Sequence, residues 1–318
     1  MALSKFLDPK YDLPFKRVFG TEKNKNILIH FLNDILGFTG ANTIQDVKFL
    51  STIMNPEIAS DKQSIVDVLC KDSHGNRYIA EMQLARDKGF EKRAQLYAAK
   101  AYSRQLDKSG NYIDLKKVFF IAISNSILFP SEVEYISTHN IRDIKTNGHY
   151  LKDFQFVFIE LPKFTKSKVE ELESTKERWC FFFKHAEDTT DEDLKDIAEK
   201  SPIIKLAYDE LDKFSWEEED LAAYEERVLS VQKEAAIWEQ RLDDATEKGR
   251  DEGIQIGQEK GRAEGIQIGA EKGREEGEKQ AKIAVAKNSL KAGVSIDVIA
   301  EITGLSISEI KQLKEEAF

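Results

Sequence analysis

The stretch Ser64 to Leu84 (SIVDVLCKDSHGNRYIAEMQL) reads as two strands about a polar turn, and in the second of them side chains alternate with the two-residue period of a strand. Ile65 to Lys71 and Arg77 to Leu84 are rich in β-branched, aromatic and apolar residues. Asp72-Ser73-His74-Gly75-Asn76 between them has turn chemistry, so the pattern predicts a hairpin. In its second strand Tyr78, Ala80, Met82 and Leu84 share one face, and Ile79, Glu81 and Gln83 share the other. A loop closing symmetrically about His74 sets Asp67 opposite Glu81, whereas a one-residue slip puts them on different faces. Like charges so opposed repel unless they share a cation or a proton.

Around this hairpin the period changes. Phe19, Ile27, Leu28, Phe31, Leu32 and Ile35 recur at helical spacing and predict a helix from Lys16 to Leu36, with Asp12 and Lys16 at its entrance. Ile44 to Met54 reads as a first strand. A second helix from Gly89 to Leu106 packs through Ala94, Ala98 and Ala101 and carries a stripe of Arg93, Tyr97, Lys100 and Arg104. That stripe is either a solvated face or the border of a site. Lys116 to Asn125 is a nearly continuous apolar run, a central strand, and Phe154 to Leu161 is another, closed by Pro162. His139 and His149 fall in the polar connection between them, and neither has a second ligand at metal-binding spacing. Helix, strand, hairpin, helix, strand, strand is the order of an α/β domain with a mixed sheet flanked by helices.

From Ser167 to Thr246 the chain is acidic and helical, with Trp179, Phe181, Phe182 and Phe183 as the patch that docks these helices on the sheet. Between Glu247 and Gln280 glycine recurs every fourth residue, from Gly249 to Gly277, within GRDEGIQIGQEK, GRAEGIQIGAEK and GREEG. Glycine disfavours a helix interior by about 1 kcal/mol relative to Ala, which argues for a disordered linker. A strict period argues instead for a helical arm whose glycines admit a second backbone, flanked by Ile254, Ile256, Ile266 and Ile268. A four-residue repeat exceeds 3.6, so such arms wrap right-handedly. In the tail, Gly293 and Gly304 interrupt the helical pattern, and Ser306-Ile307-Ser308-Glu309 is a capping box. The boundaries follow: a core over 1–165, an acidic helical extension over 166–246, the glycine arm over 247–280 and a small helical, helix-turn-helix-like tail over 281–318.

The net charge of −10 on 318 residues argues against a polyanionic partner, but its distribution does not. Met1 to Thr165 holds 23 Lys or Arg against 19 Asp or Glu, and the remainder holds 24 against 38. The mildly basic part is the one that contains the acid pair. Cys70 and Cys180 offer neither a disulfide framework nor paired metal-ligand spacing and read as buried thiols. No targeting segment and no membrane-length apolar run is present, which predicts a cytoplasmic protein without a membrane partner.

Asp67 followed by Glu81-Met82-Gln83 in a strand, turn, strand setting resembles the PD-(D/E)xK nuclease signature, with Gln in place of Lys. Asp12, Phe15-Lys16 and Phe19, then Arg93, Tyr97 and Tyr102, then Phe158-Ile159-Glu160-Leu161-Pro162-Lys163-Phe164 extend the resemblance to the Rpn family of recombination-promoting nucleases and transposases. It implies a restriction-endonuclease-like fold followed by an all-helical C-terminal region. It further implies a bacterial DNA endonuclease of low sequence specificity, acting in recombination, mobile-element handling or phage defence. Asp67, Glu81 and Gln83 would be catalytic. Asp67, Glu81 and the Met82 backbone carbonyl would hold Mg²⁺ or Mn²⁺. Arg93, Tyr97, Lys100 and Lys16 would meet DNA, with Asp12 as an accessory acid. Gln83 cannot supply the lysine's charge, so either the metal activates water alone or Lys100 or Arg93 replaces that charge. Two alternatives stand beside this: a transposase performing strand transfer, and a catalytically weak DNA-binding or self-assembling protein. In every case residues 247–318 are the expected homo-oligomer contact.

Overall fold

Three strands at the centre of the sheet run parallel, and everything that positions the acid pair is built on them. The computed structural model describes residues 4–54, 64–85, 87–106 and 110–315. Its strands are β1 (Val47–Phe49), β2 (Ile53–Met54), β3 (Ser64–Ile65), β4 (Val68–Asp72), β5 (Arg77–Gln83), β6 (Val118–Ser124), β7 (Ile136–Asn140) and β8 (Phe154–Glu160). Six of them form one mixed sheet in the order β1-β4-β5-β6-β8-β7, and β2 pairs with β3 separately. β5, β6 and β8 are mutually parallel, whereas β1, β4 and β7 add antiparallel. Every residue of β6 is buried, as a strand covered on both faces requires.

The helices sort by face. α1 (Asp12–Phe19), α2 (Lys25–Leu36), α4 (Thr175–His185), α5 (Asp191–Lys200) and α6 (Pro202–Leu211) contribute to one core, with Phe15, Phe19, Phe31, Trp179, Phe182 and Phe183 meeting the Tyr78, Ala80 and Met82 side of β5. The Trp179 indole N–H donates to Asp34 at 2.9 Å, which satisfies the polar end of a fully buried side chain. Helices from 175 to 211 thus share the sheet's own core. On the other face lies α3 (Phe90–Ser103), whose Phe90, Ala94, Ala98 and Ala101 pack on Ile79, Phe120 and Ala122. It is the crossover between parallel β5 and β6. Arg77 at the start of β5 donates to the carbonyls of Ala101 (2.7 Å) and Arg104 (3.1 Å), tying the last turn of α3 to the strand.

Three expectations change. The helix foreseen over Lys16–Leu36 is two helices, because Thr21 and Asn24 side chains both donate to the Arg17 carbonyl and end α1 there. The strands foreseen over Ile44–Met54 and Ile65–Lys71 are each shared between two sheets: β1 and β4 join the large one, and β2 and β3 pair with each other. The second of those breaks falls at Asp67. The polar stretch that contains His139 holds an edge strand, β7, paired with β8.

α7 (Glu218–Lys291) is a single helix of 74 residues. The chain divides into compact units at Val231 and Gln232. Within the first unit Leu221, Tyr224 and Val228 pack with Leu7, Tyr11 and Trp216. Within the second, all eight ladder glycines are helical, and a Cβ built on any of them meets nothing within 4 Å beyond its chain neighbours and its own turn of helix backbone. The end of α7, α8 (Ile296–Thr303) and α9 (Ile307–Glu315) close a small core of Ala286, Leu290, Ile299, Leu305 and Ile310. Gly293 and Gly304 take the left-handed φ that stops a helix. The capping box is formed: Ser306 N–H donates to Glu309 at 2.8 Å, and Glu309 N–H donates to Ser306 Oγ at 3.3 Å. Among the described residues no helix is long and apolar enough to cross a membrane.

Candidate active site

The Asp72 carboxylate accepts from the backbone N–H groups of His74 and Asn76, both at 2.9 Å, and from the Tyr78 hydroxyl at 2.8 Å, so it closes the turn and sets the register of the hairpin. Lys71 pairs with Arg77 and Val68 with Ala80, the symmetric closure about His74. The next step outward brings Asp67 to Glu81, where Asp67 bends out of the ladder. Its backbone N–H donates to Glu81 Oε2 at 3.2 Å, and its own Oδ2 accepts from the Met82 N–H at 2.9 Å. The two acids therefore occupy the gap where pairing between β4 and β5 stops. An N–H and C=O of one strand residue face the same edge, so the Met82 carbonyl faces that gap too.

Both carboxylates are held above their ordinary range. For Glu81, 7% exposed, burial is the larger cause and the charge of Asp67 the next, and together they push it up to about 8. Asp67 is raised first by burial, and the Met82 N–H and Lys16 act in the opposite direction. Apart from the Asp67 N–H, nothing donates to the Glu81 carboxylate among the described residues.

Cations approach from both faces. Lys16, on α1, lies with Nζ 3.6 Å from Asp67 Oδ1, and Asp12, one turn earlier, is near enough to raise Asp67. From α3, Arg93 donates to the Gln83 side-chain oxygen and to Asp87, while its Nε is buried with no partner. The guanidinium lies 5.9 Å from the Tyr97 ring centre, and Tyr97 feels both Glu81 and Asp67. Lys100 donates to Ser64 Oγ at 2.8 Å. Gln83 gives its amide N–H to the Ala85 carbonyl. Both ends of that side chain are thus engaged within the protein. Every residue expected at the site lies on the elements that border this gap. Ser64 and Asp87, the partners of Lys100 and Arg93, were not foreseen. Nothing in their local sequence separates them from ordinary loop polar residues.

Two acceptor-only side chains and a strand carbonyl are an all-oxygen set of the kind a hard divalent cation prefers. The repulsion that raises Glu81 is what such a cation relieves, so the residues fit one. Among the described residues no third His, Cys, Asp or Glu joins the pair, which leaves backbone and water for the remaining positions. A cavity of about 680 Å³ lies at the opposite end of the hairpin beside His74 and His149, and neither acid lines it.

The family model described as PD-(D/E)XK nuclease family transposase matches residues 9–239, which takes in the acid pair, α1, α3 and the start of α7. No curated protein and no solved structure matches the chain. With its mixed sheet flanked by helices and well over half of its length matched, the chain belongs to the PD-(D/E)XK nuclease family transposases and is a nuclease-type enzyme.

Proposed function

We propose that the protein is a divalent-metal-dependent DNA endonuclease of low sequence specificity, with Asp67 and Glu81 as its catalytic carboxylates. The observation that carries this is their mutual approach in the strand gap, where each accepts a backbone N–H beside the other. Asp67, Glu81 and the Met82 carbonyl would hold Mg²⁺ or Mn²⁺. Bound there, the ion would supply Lewis acidity, acidifying water and offsetting charge on the phosphate oxygens. Arg93 and Tyr97 would border the DNA path, Arg93 through its unpartnered Nε. Gln83 acts by fixing Arg93, since its amide oxygen is already accepting from that guanidinium. Lys100 steadies the β3 end of the site through Ser64.

The C-terminal part is proposed to join copies of the chain, because among the described residues its glycines face open space and four isoleucines beside them are exposed. A bacterial cytoplasmic setting in recombination, mobile-element handling or phage defence accords with these features.

Plasmid cleavage tests the site: the wild type is expected to nick DNA with Mg²⁺ and not with EDTA, and Asp67→Ala and Glu81→Ala are expected to lose at least about 100-fold in rate. Equal nicking by all three proteins would reject the assignment. Joined rather than cut products would identify strand transfer by the same carboxylates.

A further inference from the structure

A nuclease site that has exchanged its motif lysine for Gln83 lacks a mobile positive charge at the reacting phosphate. Of the cations around the gap, Arg93 is engaged with Gln83 and Asp87, and Lys100 with Ser64. Lys16 is different. Its backbone is fixed, because Phe15, Val18 and Phe19 on either side of it are buried in the core. Arg17 pins the same turn by stacking 4.4 Å from the Trp216 ring and pairing with Glu210 at 3.3 Å. The Lys16 ammonium is held more loosely: Nζ stands 3.6 Å from Asp67 Oδ1, beyond the 2.7–2.9 Å of a charge-assisted hydrogen bond, and the side chain is 43% exposed. Among the described residues its ammonium has no other ion-pair partner.

From this we infer that Lys16, carried on α1, is the catalytic cation of the site. It takes over from outside the hairpin the charge that the motif position no longer provides. The inference rests on the nuclease reading of Asp67 and Glu81. In the reaction, water attacks phosphorus and gives up a proton to solvent, the P–O3′ or P–O5′ bond breaks, and the displaced oxygen leaves with the electron pair and takes a proton from solvent. Lys16 keeps its own proton throughout. Its part is to face the phosphate oxygens, where negative charge grows as the bond to water forms, from a position already set by α1. Reaching the site from the face opposite α3, it completes with Arg93 a pair of positive groups on either side of the acids. It also acts against metal affinity, since a cation beside Asp67 competes with any ion that Asp67 holds.

That opposition gives the test. Single-turnover cleavage and Mn²⁺ binding, followed by the electron paramagnetic resonance of free Mn²⁺, are measured on full-length wild type, Lys16→Ala, Lys16→Arg and the double variant Lys16→Ala with Gln83→Lys. Lys16→Ala is expected to cleave about 100-fold more slowly while binding Mn²⁺ at least as tightly as the wild type. Lys16→Arg should retain more activity than Lys16→Ala. The double variant, with the charge returned to the motif position, should recover at least about tenfold over Lys16→Ala. A Lys16→Ala protein that cleaves within about twofold of wild type overturns the inference and leaves the nuclease reading standing. So does one that loses Mn²⁺ binding together with activity, which would make Lys16 a support for Asp67. If the wild type cleaves nothing, the nuclease reading falls and takes this assignment with it.

Discussion

A carboxyl group as deeply buried as that of Glu81 holds its proton in the folded protein at pH values where the unfolded chain has already released it. With the folded value at about 8 and the unfolded one near 4.5, the native state binds more protons throughout that window. Stability of the metal-free protein therefore falls as pH rises through it, and Asp67, raised in the same direction, adds to the slope. Urea denaturation in EDTA is expected to show a loss on the order of a few kcal/mol between pH 5 and 8.5, with Glu81→Gln much flatter. A wild-type profile as flat as the variant's would remove the claim that burial and Asp67 keep Glu81 protonated. The opposition of these two acids was legible in the sequence, because strand pairing outward from a five-residue turn is arithmetic once the register is fixed, and Asp72 fixes it. Lys16 was expected at the site only from the resemblance, and its nearness to Asp67 was not readable from the hairpin's own pattern. It depends on α1 folding over the sheet more than fifty residues before the motif, and no local pattern records such a contact.

At the level of elements, the buried strands and α3 followed from periodicity, whereas the departures came where tertiary partners decided. α1 ends because side chains at Thr21 and Asn24 cap it, although apolar spacing continues into α2. β7 reads as polar connection because an edge strand needs only one neighbour and half-burial, which ISTHN satisfies without clear alternation. The glycine ladder is the reverse case, a helix that propensity disfavours. Since an added Cβ meets nothing within 4 Å at these positions, Gly253, Gly257, Gly265 and Gly269 changed together to Ala should strengthen the helix by about 1 kcal/mol each. The same change is expected to lower the assembled mass, because methyl groups hold a second backbone away. Circular dichroism melting and light scattering read the two effects. A more stable helix with unchanged mass would show that the glycines serve no contact between copies.

For the molecule as a whole, the first compact unit ends at Val231 and already contains the acid pair, its flanking cations and both cores of the sheet. A chain ending at Asp244 is accordingly expected to keep its fold and its cleavage of plasmid DNA while sedimenting or scattering as a smaller species. Undiminished mass would relocate self-association to the first unit. The twelve-residue duplication within the second unit has a further effect on any such association. Two arms displaced by one repeat, about 18 Å along the axis, would meet the same sequence of glycines and isoleucines again. Alignment of neighbours is then degenerate, and cross-linking should give a ladder of staggered products instead of one, so that the spacing between two cutting centres becomes adjustable in fixed steps.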